Sequence, residues 1–149
     1  MKRRLFMLIA LLMAVCCVAS AQQNLAVADV FSRFGHERGC KMVEMHDTSL
    51  RGFKLKTYQS LTYRAHGEQI AAILEADRSQ ARKIREVVSN GRVNSGYYIM
   101  PPTAEGMNRY VLYVQKEDKS GAVIYIEGEL GPDDILKICY QRRRSFTDK

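Results

Sequence analysis

The stretch NRYVLYVQ-KEDKS-GAVIYIEG, residues 108–128, decides the fold. Two apolar segments, NRYVLYVQ and GAVIYIEG, flank the short polar connection KEDKS. Apolar segments of this length, rich in Val, Ile and Tyr, are typical of β-strands, and a short polar connection is typical of a hairpin. The stretch therefore predicts two neighbouring antiparallel strands.

Both faces of the predicted sheet are apolar once the segment GYYIM, residues 96–100, is added as a third strand. An antiparallel sheet with one face in water should alternate apolar and polar residues, so something must cover the second face. Either the protein's own helices and N-terminal strands cover it, or a partner surface or a second copy does. One parity holds Tyr98, Val111, Tyr113, Val123 and Tyr125; the other holds Tyr97, Ile99, Tyr110, Leu112, Val114, Ile124 and Ile126.

We expect tyrosine side chains to form the binding surface of this sheet. The chain has 8 Tyr and no Trp, and tyrosine is enriched at interfaces because it joins an apolar ring to a polar tip. Tyr98, Tyr113 and Tyr125 share one parity and are the predicted binding residues. A sugar-binding platform would more typically contain Trp.

The rest of the chain adds helices and two further strands. Apolar residues at i, i+3, i+4 and i+7 predict a helix over 27–34, ended by Gly35 and Gly39. Strands are predicted for 40–46 and 55–65 and a helical pattern for 67–89, as one helix or as two joined near 76–79, stopped by Asn90-Gly91. Pro132, Asp133 and Asp134 suit the start of a last helix. The predicted fold is α+β, an antiparallel sheet of about five strands with helices packed on it, in the order α-β-β-α-β-β-β-α.

The N-terminus predicts an exported protein. MKRR, a 14-residue apolar run from Leu5 to Val18 and ASA before Gln22 follow the pattern of a signal peptide over 1–21. The run is shorter than the ~20 residues of a spanning helix, and no second run follows, so we expect no transmembrane segment after cleavage. Residues 22–149 are then a single domain with a short basic C-terminal tail, in the periplasm or outside the cell. A lipid anchor through Cys16 or Cys17 is the alternative.

Charge and cysteine count change once the signal is removed. The chain has 23 basic and 16 acidic residues, and losing three basic residues leaves a net charge of +4. This mild excess, in an exported protein, does not indicate a nucleic-acid partner. The two remaining cysteines, Cys40 and Cys139, form either a single disulfide or two buried thiols.

The stretch FGHERGCKMVEMHD, residues 34–47, holds two of the three histidines but no recognisable site. Along a straight strand Cys40 and His46 lie about 20 Å apart, too far to share one metal ion. His46 and His66 on neighbouring strands, with Glu44 or Glu68, form the alternative of a metal-binding or hydrolase-type site. We expect no catalytic residue, metal or cofactor.

Two basic clusters have an ordinary interpretation and a functional one. Arg78, Arg82, Lys83 and Arg85 would form the solvated face of the helical segment 67–89 or a patch for an anionic partner. The cluster 142–144 would neutralise the last carbonyls of the final helix or bind acidic polymer or lipid headgroups.

The mature chain resembles a family of small exported proteins of unknown function from Bacteroidota-type bacteria. The resemblance covers about residues 25–140 and rests on VFSRFGHERGCKMVEM, LKTYQSLTYR, GYYIMPP with NRYVLYVQ, and VIYIEGEL with GPDDILKI. It implies an exported protein with one α+β domain and no particular activity. The apolar second face of the sheet with its tyrosines, and not this resemblance, leads us to expect a non-enzymatic cell-envelope module that binds a protein partner or a second copy.

Overall fold

The computed structural model describes residues 25–147, with side chains as far as Cys139. Three helices and six strands lie in this range. They are α1 (Val27–Phe34), β1 (Cys40–Leu50), β2 (Phe53–Tyr63), α2 (Gly67–Gln80), β3 (Arg82–Ser89), β4 (Arg92–Met100), β5 (Asn108–Gln115), β6 (Gly121–Gly128) and α3 (Pro132–Thr147).

The strands form one sheet in the order β1-β2-β6-β5-β4-β3, and every neighbouring pair is antiparallel. The predicted hairpin over 108–128 is confirmed, with Tyr113 opposite Val123. The α+β class, the antiparallel sheet and the first helix are confirmed as well. The predicted count of about five strands is wrong, because the described chain has six, in the order α-β-β-α-β-β-β-β-α.

The missed strand is β3. The helical segment predicted for 67–89 ends at Gln80, and Ala81 is already extended at φ −80°, ψ 151°. Ile84, Val87 and Val88 are β-branched, which favours a strand. Asn90-Gly91 does not stop a helix but makes a two-residue hairpin turn, since both residues have positive φ, 52° and 72°.

Helices cover the two faces of the sheet unequally. The face that carries Tyr98 and Tyr113 packs against both α1 and α2, and we call it the two-helix face. The face that carries Tyr110 and Leu112 packs against Leu130 and the start of α3, and we call it the one-helix face. The predicted assignment of residues to the two parities agrees with these two clusters except for Val114, which is exposed and belongs to neither. The fully buried side chains include Val30, Leu61, Tyr63, Ile70 and Val123 on the first face and Ile126 and Ile135 on the second.

Two sequence-based predictions concern the ends of the chain, a signal peptide and a basic tail. The predicted signal peptide over 1–21, with Cys16 and Cys17, lies outside the described residues. At the other end, α3 runs to Thr147, through most of the segment predicted as a basic tail. No helix in the range 25–147 has the length and hydropathy needed to cross a bilayer.

Candidate functional site

A cavity of about 420 Å³ opens between α2 and the two-helix face of the sheet. The sheet contributes its floor through β4 and β5, and α2 forms one wall. Met100 and Val111 make the floor apolar, with the rings of Tyr98 and Tyr113 beside them, and Leu74 makes the α2 wall apolar. Charged side chains, among them Arg78, Arg92 and Lys119, lie around it.

Tyr98 is fixed on the floor by a network that joins β4, β3 and α2. Its hydroxyl donates to Glu86 Oε2 at 2.7 Å, and Arg78 donates to the same carboxylate from Nε at 2.8 Å and Nη2 at 3.0 Å. Gly96 leaves room for the Tyr98 side chain, since a Cβ at Gly96 would collide with the hydroxyl and ring of Tyr98. Arg78 holds the pKa of Glu86 down at about 2, and burial raises that of Tyr98.

Gln115 fixes the second tyrosine of the floor. Its Oε1 accepts a hydrogen bond from the hydroxyl of Tyr113 at 2.9 Å and another from Tyr63 at 3.1 Å. Burial raises the pKa of both tyrosines, so both hydroxyls stay protonated and act as donors at neutral pH. The floor thus presents aromatic rings whose polar tips already have partners.

Asp77 ties α2 to α1 at one end of the cavity. Its side chain is buried, at 2 % exposure, and its two oxygens accept the backbone N–H groups of Ala26 and Val27, each at 2.7 Å. These N–H groups at the start of α1 have no partner within that helix, so Asp77 serves as a cap supplied by another helix. Burial raises the pKa of Asp77, and the two backbone hydrogen bonds oppose that rise. The only sequence signal for this role was an acidic residue on an apolar helix stripe.

The mouth of the cavity carries cations, and most are paired. Lys119 Nζ lies 3.1 Å from Glu68 Oε1, and Arg78 reaches Glu75 at 2.8 Å besides Glu86. Arg92 is exposed at the start of β4. Among the described residues it forms no ion pair, although its charge helps to lower the pKa of Glu68 after the larger effect of Lys119.

The structure brings two of the three predicted binding tyrosines to this cavity. Tyr98 and Tyr113 are 4 % and 6 % exposed and line it. Tyr125 lies on the same face but is not among the residues that line the cavity; its hydroxyl donates to Glu127 at 2.8 Å.

The two cysteines lie on opposite faces of the sheet and are not bonded to each other. Cys40 packs against the core of the two-helix face, and Cys139 against that of the one-helix face. Burial, aided by the charge of Glu37, raises the pKa of the Cys40 thiol. A thiol with a raised pKa is a poor nucleophile, which argues against a catalytic role for Cys40.

The histidines do not converge. His46 Nε2 lies 2.7 Å from Glu44 on the exposed side of β1. His66 precedes α2 with φ 68° and packs on Phe34, with ring centroids 5.2 Å apart. Within the described range, no three His, Cys, Asp or Glu side chains are placed to share a metal ion.

The first basic cluster is divided between two elements. Arg78 belongs to α2, whereas Arg82, Lys83 and Arg85 belong to β3, so the single helical face predicted for them is wrong. Glu86 pairs with Arg78 and, at 3.3 Å, with Lys83. The second cluster, 142–144, lies within α3, beyond the residues whose side chains are described.

A family model described as a family of unknown function, DUF6108, matches residues 14–139. The chain belongs to the DUF6108 family. The expected resemblance to a family without a known activity is confirmed to that extent. No curated protein matches this DUF6108 chain significantly. A solved structure, the protein of unknown function PA94 from Pseudomonas aeruginosa, is 7 % identical with a TM-score of 0.37. The match covers 76 % of this chain and 83 % of that one, and at this TM-score it carries no argument about the fold or activity of the DUF6108 protein.

Proposed function

We propose that the protein is an exported, non-enzymatic binding module of the cell envelope and that the cavity under α2 is its binding site. The observation that carries the proposal is the cavity itself: about 420 Å³, with an apolar floor that includes Tyr98 and Tyr113. Small-molecule sites occupy about 300–1,000 Å³ and combine apolar walls with a few placed polar groups. The size and the lining both fit such a site.

The burial of the two tyrosines favours a small ligand over a flat protein surface. Tyr98 and Tyr113 lie under the helices at 4 % and 6 % exposure, so a partner resting on the outside could not reach their rings. A molecule that enters between α2 and the sheet would contact both rings. The tyrosines would then act as apolar walls, because their hydroxyls already donate to Glu86 and Gln115.

The pairing of the polar groups favours binding over catalysis. A catalytic site needs a nucleophile or a base with access to the reacting atoms. Around the cavity, Asp77 is engaged by α1 and Glu86 by Arg78 and Tyr98. His46 and His66 do not line the cavity, so the alternative of a hydrolase-type or metal site with a nearby glutamate is not favoured.

Binding of an uncharged apolar dye, N-phenyl-1-naphthylamine, tests the proposal. We expect saturable binding at one site per chain, with enhanced dye emission. Ala71→Phe fills the cavity from α2 and should weaken binding at least about tenfold, because the ring occupies the ligand's place. Ala72→Phe is the matched control: it lies next along the same helix but is exposed and should leave binding unchanged. Absence of saturable binding, or equal binding by both variants, would refute the proposed site.

Export rests on the N-terminal pattern and has its own test. Expression of the full chain in a cell with a signal peptidase should release a protein that begins at Gln22. Mass spectrometry of the periplasmic fraction and of the medium measures this. An uncleaved chain that remains in the cytoplasm would contradict export, and an added lipid mass on Cys16 or Cys17 would favour the anchored form.

A second copy or a protein partner is the second candidate and would use the one-helix face. Tyr97, Ile99 and Ile124 are only partly buried there, and Val114 is 46 % exposed. Half-covered apolar surface of this kind is typical of contact surfaces. Sedimentation velocity of wild type and Val114→Ser measures self-association; a monomer at all concentrations in both would exclude the second copy.

A further inference from the structure

The floor of the cavity offers a ligand little besides apolar contact. Leu74, Met100 and Val111 are buried and apolar, and the hydroxyls of Tyr98 and Tyr113 donate to protein acceptors. Among the described residues, no buried side-chain nitrogen or oxygen lacks a hydrogen-bond partner. A polar ligand group placed on this floor would lose its hydrogen bonds to water without gaining a hydrogen bond to the protein, which is unfavourable. The inner part of the ligand must therefore be apolar.

One cation that lines the mouth, Arg92, lies outside its ion pairs. Lys119 is held by Glu68, and Arg78 by Glu75 and Glu86. The carboxylate of Asp77 points to the backbone of α1. Arg92 alone among the lining cations has no carboxylate within ion-pair distance in the described part of the chain.

The backbone position of Arg92 is well defined, so its guanidinium group extends from a fixed point. Arg92 is the first residue of β4, paired with Ser89 directly after the tight turn Asn90-Gly91. The same residue also lines a neighbouring depression with Lys116, Lys119 and Glu117, so the mouth extends outward over a surface with more cations than anions. A fixed backbone with a long exposed guanidinium suits a carboxylate or phosphate, which it can bind with two parallel hydrogen bonds.

We infer that the ligand is a single-chain anionic amphiphile, with its apolar tail in the cavity and its carboxylate or phosphate head on Arg92. This inference rests on the proposed function, because it assigns the ligand class of the same cavity. The shared chemistry is one apolar chain and one terminal anion, which either a free fatty acid or a lipid-derived phosphate monoester supplies.

Displacement of bound N-phenyl-1-naphthylamine tests the ligand class. The competitors share one chain length and differ in the head: dodecanoate, dodecyl phosphate, dodecanol and dodecylammonium, each below the concentration at which it forms micelles. We expect both anions to displace the dye at lower concentration than dodecanol, and dodecylammonium to be the weakest. The ratio of the two anions distinguishes a fatty acid from a phosphate monoester.

Arg92→Gln separates the head-group contact from the cavity. The substitution should lower the affinity for dodecanoate or dodecyl phosphate about fivefold at low salt, as expected for the loss of an exposed ion pair. This effect should shrink as the salt concentration is raised. Binding of the dye and of dodecanol should not change. Arg38→Gln removes the same charge from an exposed position that does not line the cavity and is the matched control.

Two failures are distinguishable. Equal displacement by all four heads, or equal anion affinity in Arg92→Gln and Arg38→Gln, would overturn the inference and leave the cavity as a site for an apolar ligand. Failure of the dye and of dodecanoate to bind at all would overturn the proposed function, and the inference with it.

Discussion

The two faces of the sheet use the same strands and the same kind of residue but are closed in different ways. On the two-helix face, polar bonds hold both ends of α2. In its first turn Glu68 pairs with Lys119. In its last turn Asp77 bonds to α1, and the neighbouring Arg78 is joined through Glu86 to Tyr98. On the one-helix face, α3 follows Leu130, whose carbonyl accepts hydrogen bonds from the Tyr110 hydroxyl at 2.6 Å and from Asn108 at 3.1 Å.

The difference teaches where space can arise in a small domain. A helix held by close packing over its length leaves no room under it, because protein interiors are close-packed. Where polar links hold α2 at its first and last turns, a cavity can lie between those two ends without loss of the links. The one-helix face has a buried centre around Ile126 and Ile135 and a half-covered margin, so it offers a surface rather than a cavity.

Removal of a core side chain from the one-helix face should have the largest effect on stability and none on the site. Ile135 is fully buried, and Ile135→Ala should lower the free energy of unfolding by about 2–5 kcal/mol in urea denaturation. Dye affinity at low denaturant should stay at the wild-type value. Val114→Ala, on the same side but exposed, should cost less than about 0.5 kcal/mol. Loss of dye binding by a folded Ile135→Ala protein would show that the two faces are not independent.

Loss of the link between the two helices should come second. Asp77→Ala leaves the N–H groups of Ala26 and Val27 without their acceptor and should cost about 2–3 kcal/mol, measured as above. Asp77→Asn keeps one acceptor oxygen and should cost less. Asp29→Ala, an exposed acid in the first turn of α1, is the control for the helix dipole alone. Equal stability of Asp77→Ala and Asp29→Ala would mean that Asp77 does not hold α1.

The side-chain carboxylates of Glu86 and Asp77 should respond to pH in opposite directions. The pKa of Glu86 is lowered from 4.5 to about 2, so its stabilising effect is complete above pH 4.5 and is lost as pH falls towards 2. The pKa of Asp77 is raised above 3.8, so its effect is complete below pH 3.8 and declines as pH rises through the folded value.

Thermal unfolding between pH 2.5 and pH 7 checks these signs. Glu86→Gln should lower the free energy of unfolding by about 1–2 kcal/mol at pH 7, because it removes a charge-assisted hydrogen bond to Arg78. At pH 2.5 the same substitution should have little effect. Asp77→Asn should instead reduce the decline that wild type shows just above pH 3.8. A pH profile of Glu86→Gln parallel to that of wild type would exclude the Arg78–Glu86 link as a source of stability.

The smallest effect should come from the histidine stretch. His46 and Glu44 form an exposed pair, with side chains 58 % and 41 % exposed, and such pairs contribute about 0–1 kcal/mol. His46→Ala should shift the unfolding midpoint within error and should not alter zinc content, measured by elemental analysis of the purified protein. Stoichiometric zinc that disappears in His46→Ala would restore the metal-binding alternative.

The parts of the fold that depend on local pattern could be predicted. The hairpin over 108–128, the stripe of α1 and the division of Tyr97 and Tyr98 between faces follow from periodicity alone. Strand β3 was missed because Ile84 and Val88, four residues apart, also fit a helix stripe. Their β-branching and the Asn90-Gly91 turn are the signals that could have corrected it.

The site could be predicted only in part. Their shared parity predicts that Tyr98 and Tyr113 lie on one face, and the structure places both beside the cavity. The cavity could not be predicted, because its space depends on how α2 lies over the sheet. The partners of Asp77 are 51 and 50 residues away along the chain, so no local pattern indicates them.

Chemical-shift mapping of ¹⁵N-labelled protein with dodecanoate tests the central claim most directly, that the two-helix face binds and the one-helix face does not. The account predicts saturating chemical-shift changes for the amides of Leu74, Arg92 and Tyr113, on both sides of the cavity. The amides of Tyr97 and His46 should show only the small indirect changes that neighbouring residues transmit. Shifts centred on Tyr97, Ile99 and Ile124, or no saturating shift at any concentration below micelle formation, would contradict it.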